Sequence, residues 1–493
     1  MAEIRLPQLG RAIECRDGEN LYEVLARENL IEGPCGGRGV CGKCRVVLDG
    51  RETLSCECAA RGACEVLLPE FAGVGDIVSD GYMKAFAADK KEGFGFAVDI
   101  GTTTVVASLY DLSSGRELAS VSCLNSQKSC GQDVISRIRC AGEEEGGLKR
   151  LGEKITADLN ALFTQLLARC GVKAEEICGT VVAGNTTMIH LLAGRDPSSL
   201  AAAPYRPAFT GSLLLDGNAL GLCVPAPVDC LPAIASYVGG DITAGVTACG
   251  ITEDGPLTLF IDIGTNGEIV LAGGGEMYCC SCAAGPALEG MNISCGMRAA
   301  AGAIEEVSIK NGAFSIRTIK DGVPRGICGS GLLSAIASML AEGVISPNGR
   351  FAAHPMVSAA EGGKRVVLDP EHGIYLTQKD IRQVQLAKGA ILSGILTLLE
   401  ASGRSEEEIE KVIVAGQFGA HLTTEALTGC GFLPKSLKEK IVYAGNTSKS
   451  GAAVCLLSAE NRARCDRLAE GAKYIELSLK EGYEDLFVKC LRF

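Results

Sequence analysis

Two widely separated stretches of this chain repeat one another, and that repeat constrains the fold more than any other feature. Phe94-Gly-Phe-Ala-Val-Asp99-Ile-Gly-Thr-Thr-Thr104-Val-Val-Ala-Ser-Leu109 aligns with Leu259-Phe-Ile-Asp262-Ile-Gly-Thr-Asn-Gly-Glu268-Ile-Val-Leu271. Each copy reads as a buried strand, a D-I-G-T turn and a second strand, which together make a hairpin. After helical sequence, each is followed by a strand ending in Ala-Gly: Thr180-Val-Val-Ala-Gly184 and Lys411-Val-Ile-Val-Ala-Gly416. The repeat predicts two similar α/β halves whose turns face each other across a cleft.

Turns of this composition suit phosphate. Gly101 and Gly264 let the backbone come close, so that successive N–H groups form an anion-binding concavity. Thr102, Thr103, Thr265 and Asn266 add hydroxyl or amide donors. Asp99 and Asp262 are expected opposite one another with a magnesium-bound phosphate tail between them, because magnesium favours carboxylate, water and phosphate oxygens together. A single aspartate in a strand turn is often only a turn-former. Two copies, each followed by the same strand, are a much stronger signal.

Composition narrows the class. At 493 residues the chain is too long for one ordinary core, so two or more domains are expected. Its 47% hydrophobic and 22% charged content is globular. The net charge of −12 argues against a nucleic-acid partner. Gly389 to Leu399 is the most apolar run, too short to span a bilayer, and MAEIRLPQLG has no basic and apolar export pattern. The expectation is a soluble cytoplasmic protein with neither membrane nor nucleic acid as partner. In that compartment its 24 cysteines are expected as metal ligands or buried thiols rather than disulfides.

Residues 1–70 form a separate small α+β module. Glu3–Leu6 and Ala12–Cys15 read as hairpin strands, Leu21–Arg27 as a helix and Arg45–Leu48 as a strand. Cys35, Cys41 and Cys44 form a C-x5-C-x2-C run in a glycine-rich loop, with Cys56 twelve residues further on. Four thiolates suit a [2Fe–2S] cluster, while structural zinc is the rival occupant. Zinc sites usually pair two short knuckles, whereas here three cysteines crowd one loop. Cys58 and Cys64 compete with Cys56 as the fourth ligand. Cys282, Cys295 and Cys328 have no CxxC company and read as buried small residues, and the four histidines form no HxH or HxxxH pair. Residues 71–93 read as a tether, the alternative being an ordered arm. Residues 94–493 form the large domain, with halves at 94–238 and 239–493.

The cysteine-rich stretch resembles the [2Fe–2S] ferredoxin domains, whose fold is a β-grasp. That resemblance implies Cys35, Cys41, Cys44 and Cys56 as cluster ligands, since Leu54-Ser55-Cys56 stands where such domains place the last one. The duplicated part resembles the ribonuclease-H-like ATPases of the actin, sugar kinase and Hsp70 superfamily. The chain as a whole resembles the reductive activators of corrinoid proteins, which join these two units. Asp99–Thr104 and Asp262–Glu268 match that family's phosphate loops, and Gly131–Ile138, Gly239–Gly245, Ser281–Gly296, Gly326–Gly331 and Leu376–Arg382 are further family-like stretches. The resemblance implies that Gly416 and Gly419 flank the adenosine, and that Asp133 and Asp241 hold magnesium waters or orient the attacking water, with a helix cap as the plain alternative for each. Longer family members carry a further domain between the two units, for which this chain has no room.

An electron-carrying unit joined to an ATPase implies an uphill reduction. The resemblance supplies the acceptor, the Co(II) corrinoid of a methyl-transfer corrinoid protein, restored to Co(I). It implies a [2Fe–2S] cluster, ATP and Mg2+ as cofactors, a low-potential electron donor as a further partner and a possible homodimer. The alternatives are an activator of the 2-hydroxyacyl-CoA dehydratase type, a small-molecule kinase and a non-enzymatic actin-like or redox-sensing module.

Overall fold

The computed structural model describes residues 1–7, 11–28, 30–31, 44–68, 81–360, 363–416 and 422–493. The chain opens with strands β1 (Ala2–Leu6) and β2 (Arg11–Cys15), helix α1 (Leu21–Arg27), then β3 (Arg45–Leu48), β4 (Arg51–Leu54) and β5 (Ala63–Leu67). They form one mixed sheet in the order β2-β1-β5-β3-β4, with β1 and β5 parallel at its centre. Asn20 starts α1 by accepting from the amides of Tyr22 and Glu23, and the helix buries Leu21, Tyr22, Val24 and Leu25. The expected hairpin, helix and third strand all occur within a residue of their predicted bounds.

Residues 81–92 depart from the expected free tether. Tyr82 N donates to Ala444 O, Lys84 N to Ala248 O and Asp89 N to Leu457 O, while Asp89 accepts from Ala459 N. Laid along the surface of the following unit, the stretch has these backbone donors satisfied while most of its side chains stay exposed. It is an ordered arm there.

The next sheet holds β6 (Phe94–Ile100), β7 (Thr104–Asp111) and β8 (Arg116–Leu124), then, beyond helices α2 (Val134–Glu143) and α3 (Gly147–Cys170), β9 (Ile177–Gly184). Helix α4 (Thr186–Leu192), β10 (Leu213–Asp216) and β11 (Pro227–Cys230) complete it, in the order β10-β11-β9-β6-β7-β8. Helix α5 (Gly240–Ala248) leads to a second sheet that opens with β12 (Thr258–Ile263), β13 (Gly267–Gly273) and β14 (Glu276–Cys282). Two small three-stranded sheets and two helices follow: β15 (Ala303–Lys310), β16 (Ala313–Thr318), β17 (Gly326–Ile327), α6 (Gly329–Ala341), β18 (Val357–Ala360), β19 (Gly363–Asp369), β20 (Ile374–Thr377) and α7 (Gln378–Ser402). The chain then returns through β21 (Lys411–Ala415), α8 (Thr424–Gly429), β22 (Ile441–Gly445), α9 (Thr447–Leu457), α10 (Ala459–Gly471), β23 (Lys473–Tyr474) and α11 (Tyr483–Cys490). The second large sheet reads β22-β21-β12-β13-β14-β23.

The two large sheets share their central plan. In each, the D-I-G-T turn joins an antiparallel pair, β6 with β7 and β12 with β13. In each, the Ala-Gly strand lies parallel beside the first member, β9 along β6 and β21 along β12. Strand sequence explains the layering, because both faces of each central strand are apolar. Phe96, Val98 and Ile100 pack on the heptad-like row Leu151, Ile155, Leu159 and Leu166 of α3, with Phe96 stacked on Phe163 at 4.1 Å between ring centroids. Ile261, Ile263, Ile269 and Leu271 pack on Ile391, Ile395 and Leu398 of α7. Helix α7 is apolar and long enough to cross a bilayer by composition, but 72% of that window is buried inside the protein.

Helices α5 and α9 lie between the sheets. Ile242 and Val246 of α5 pack on Phe260 and Ile413 of the second sheet, and Ala452 and Ala453 of α9 pack on Ala97, Val181 and Ala183 of the first. Their small residues allow a tight crossing: a Cβ on Gly451 would stand 2.1 Å from Ala244 O. Both helices begin at the cleft, which positions the residues described next.

Candidate functional site

The two turns converge on one cleft of about 910 Å3, ample for a nucleotide. Gly101, Thr102, Thr103, Gly264, Thr265 and Asn266 all line it. So do Asp99 at the end of β6, Asp262 at the end of β12, Asp241 in the first turn of α5 and Glu268 at the start of β13. Asp99 is held by Asn446 Nδ2 at 2.9 Å and Ser448 Oγ at 2.7 Å, both from the start of α9. Glu268 accepts from Ser281 Oγ at 3.1 Å.

These four carboxylates are half-buried and lean on one another electrostatically. Burial first, then Asp262 and Asp99, pushes Asp241 up to about 7; burial and Asp99 push Asp262 up to about 7. Asp99 is raised by burial, and Glu268 lies well above the usual carboxylate range for the same reason with Asp241 and Asp262 added. Among the described residues no three acidic, His or Cys side chains form a ready-made metal site. A divalent cation in this cleft therefore needs oxygens from elsewhere, as magnesium on a phosphate tail has.

A linkage follows with a definite sign. Raised carboxylates favour the folded state when protonated, so their contribution is full below about pH 4 and is lost as pH rises to about 7. A cation needs them ionised, so the sign for ligand is opposite. Affinity for Mg-ATP is expected to climb between pH 5.5 and 7.5 and binding to release protons, read by calorimetry at pH 6.5 in buffers of different ionisation heat. Equal heats in all buffers would place the cation away from Asp241 and Asp262.

The turns are built for close approach. In the first, Gly101 N donates to Thr104 O at 2.9 Å; in the second, Gly264 N donates to Asn266 O at 2.9 Å. Gly416 has φ +89°, and a Cβ there would stand 2.6 Å from Asp262 Oδ1. Gly419 lies outside the described residues. Asp133 is exposed and caps α2, accepting from Ser136 N at 2.7 Å, though it also rims the cleft. Asp241 lies inside. Cys282 and Cys328 are buried as expected, yet both touch the cleft, whereas Cys295 is only half-buried.

Sequence reasoning missed Glu268, Asn446 and Ser448 as site residues. A signal for two of them was present: Ala183-Gly-Asn185-Thr-Thr187 recurs as Ala444-Gly-Asn446-Thr-Ser448. Each asparagine caps its helix and also reaches the first turn, Asn185 Nδ2 to Thr102 Oγ1 at 3.1 Å and Asn446 to Asp99.

In the N-terminal sheet, Cys44 Sγ and Cys56 Sγ lie 3.1 Å apart. The turn Ser55–Glu57 is pinned there by Ser55 N on Cys44 O at 2.8 Å and Asn20 Nδ2 on Cys56 O at 2.9 Å. Cys58 turns to Thr53, 3.2 Å from its hydroxyl, and Cys64 belongs to the core under the sheet. Cys35 and Cys41 lie outside the described residues. Of the rival fourth ligands, Cys56 is the one that meets Cys44.

Two sheets with facing D-I-G-T turns and two crossing helices between them define an actin-like ATPase fold of the ASKHA class. Residues 256–493 match the family described as the C-terminal domain of RACo, the ASKHA domain, and residues 94–254 match the RACo middle region. The corrinoid activation enzyme RamQ of Eubacterium limosum is 36% identical over 418 residues, which cover 81% of this chain and 70% of RamQ. The "[Co(II) methylated amine-specific corrinoid protein] reductase" of Methanosarcina barkeri is 28% identical, over 78% of this chain and 73% of its own length. A solved reductive activator for a corrinoid, iron-sulfur protein superposes with a TM-score of 0.72 at 29% identity, covering 100% of this chain and 98% of its own. The chain belongs to the family of reductive activators of corrinoid proteins.

Proposed function

We propose that the chain uses ATP to drive one electron onto the Co(II) corrinoid of a methyl-transfer corrinoid protein, restoring the Co(I) nucleophile. The observation that carries the ATP part is the convergence of both D-I-G-T turns and four carboxylates on one cleft. Residues 94–493 are the ATPase, and residues 1–70 are a β-grasp ferredoxin-type unit.

In the ATPase, the turn amides left unpaired among the described residues and the hydroxyls of Thr102 and Thr103 bind the phosphates, with Thr265, whose hydroxyl donates to Glu289, lining the second loop. Asp99, Asp241 and Asp262, ionised on binding, would hold a hydrated Mg2+ brought by the nucleotide. Gly416 leaves room beside Asp262 for the nucleoside, and Gly419 is assigned with it. Asn446 and Ser448 fix the Asp99 carboxylate, so it is oriented before substrate arrives. Asp133, at the rim and engaged as a cap, is the weakest member of the set.

The paired thiols of Cys44 and Cys56, with a buried Cys44, fit an iron–sulfur cluster whose other ligands are Cys35 and Cys41. Such a cluster, when bound, supplies one-electron transfer. ATP is needed because it biases a two-state complex: moving a population from 1:99 to 99:1 takes about 5.5 kcal/mol of differential binding. Closure of the two sheets about α5 and α9 is the movement that nucleotide can bias.

Gly264→Val tests the phosphate-loop assignment cleanly. A Cβ at Gly264 meets only Asn266 O at 3.6 Å and the φ is ordinary, so the variant folds. Its branches stand where a phosphate comes. Mg-ATP affinity is expected to drop at least ~30-fold, about 2 kcal/mol of lost close approach, with an unchanged melting temperature. Normal ATP hydrolysis by this variant would make the turns ordinary hairpins.

A further inference from the structure

Arg137 is the largest fully buried side chain among the described residues. From α2 it reaches beneath the first D-I-G-T turn, where Nη2 donates to Thr102 O at 2.5 Å. Nε donates to Gly131 O at 2.9 Å, and Nη1 lies 3.3 Å from Gln127 Oε1 and 3.2 Å from Met188 Sδ. Every one of these acceptors is neutral, and among the described residues Arg137 forms no ion pair. Burial lowers its pKa to about 10, so it stays charged at neutral pH. Asp133 and Asp158 act on the guanidinium only from beyond ion-pair distance. A buried cation with no carboxylate in contact is costly, and an amide or thioether could fill the same space without that cost. The charge therefore calls for an explanation outside folding.

The polarity of the turn supplies one. All three of its carbonyls are held from behind: Gly101 O by Asn125 Nδ2 at 2.9 Å, Thr102 O by Arg137 and Thr103 O by Asn125 N at 2.9 Å. With the carbonyls drawn back, the Thr102 and Thr103 amides are left without an acceptor among the described residues. Thr102 O and Thr103 N belong to one peptide unit, so a guanidinium on that oxygen polarises the amide and strengthens it as a donor. On the cleft side, Arg298 is the sole cationic lining residue among those described, against seven acidic ones: Asp99, Asp133, Asp241, Asp262, Glu268, Glu289 and Glu476. The second turn is held differently: Thr265 O accepts from the Gly285 amide at 2.8 Å, and Thr265 Oγ1 donates to Glu289.

We infer that Arg137 is a positioning residue for nucleotide, a desolvated positive charge behind the first turn that makes its Thr102 and Thr103 amides the stronger of the two phosphate seats. Arg137 need not touch the ligand; it acts through the Thr102–Thr103 peptide. The inference rests on the reading of the turns as phosphate loops.

The test compares Mg-ATP with adenosine, each competing for a fluorescent ATP analogue on the full chain. Arg137→Gln is expected to weaken Mg-ATP at least tenfold while adenosine competes as with wild type, and Arg137→Lys to recover part of the loss. Gln127→Glu keeps the guanidinium but gives it a counter-ion, so it carries the test should Arg137→Gln not fold; Mg-ATP is expected to weaken several-fold and adenosine not at all. Mg-ATP affinity within twofold of wild type in the folded variants, or equal losses for Mg-ATP and adenosine, would overturn the inference. Gly264→Val separates the two failures: if it alone loses Mg-ATP, the phosphate-loop reading stands and Arg137 is structural, whereas if it too binds normally the reading itself has failed.

Discussion

Asp262→Ala is expected to abolish ATP-driven corrinoid reduction while leaving the rest of the protein sound. Asp262 lies near the end of β12 beside Gly416, in a group of four carboxylates raised by burial, and it adds its own charge to the rise of Asp241 and Glu268. Removing it relieves repulsion, so the melting temperature of the nucleotide-free variant should equal or exceed that of wild type, as is common when a strained site is dismantled. Mg-ATP hydrolysis should fall ~100-fold or more, the usual scale for deleting a charge that acts on the transition state. An iron–sulfur cluster should be present and reducible as before, because the Cys44–Cys56 pair lies in another sheet. Mixed with a Co(II) corrinoid protein, Mg-ATP and a low-potential reductant, the variant should give little Co(I) absorption. Co(I) formation as fast as wild type at the same reductant potential would show that ATP does not drive the step, and the large domain would then be a docking or regulatory unit.

The melting result separates this prediction from a folding defect. Buried carboxylates that share a cleft cost stability when ionised, so the sign of the change on removing one is diagnostic. A lower melting temperature would mean that Asp262 serves the β12–β21 seam rather than a ligand.

What was legible in the sequence, and what was not, divides along a physical line. The D-I-G-T hairpins and their Ala-Gly strands were readable because buried strands are continuous apolar runs broken by turn residues, and those patterns are local. Facing of the turns followed from the repeat itself. Asn446 and Ser448 were not singled out, because their place depends on how α9 lies against β6, a contact between residues 347 and 349 positions apart in the chain. Glu268 lies inside the second loop, paired with Asp262 across the hairpin, and went without a role because one loop's sequence does not show the other carboxylates it faces. The arm at 81–92 was read as a tether because mixed composition without periodicity looks mobile. Its order comes from backbone hydrogen bonds to Ala248, Ala444 and Leu457, which no local pattern encodes. Arg137 was equally silent: in sequence it is one more arginine in a polar helix, and only its complete burial sets it apart.

Cys44→Ala is expected to strip the iron from the chain and leave the ATPase running. Cys44 is buried in the core of the first sheet with its sulfur 3.1 Å from Cys56, and no residue before Asp99 lines the nucleotide cleft among those described. Wild type, fully reconstituted, should hold two irons and two acid-labile sulfides; Cys44→Ala and Cys56→Ala should each hold little of either. Cluster binding is folding energy for a small unit, so the first sheet should also lose protection in hydrogen exchange while residues 94–493 keep theirs. Mg-ATP hydrolysis should persist, and corrinoid reduction should not. Cys58→Ala is the control, since its sulfur faces Thr53 and the variant should keep its iron. Loss of iron from Cys58→Ala with retention in Cys56→Ala would reverse the ligand assignment. Four irons per wild-type chain would mean a [4Fe–4S] cluster on the same four thiolates, and six or more would do more, because four thiolates hold only one such cluster. Cys282 and Cys328, buried yet open to the cleft, would then need a role beyond packing.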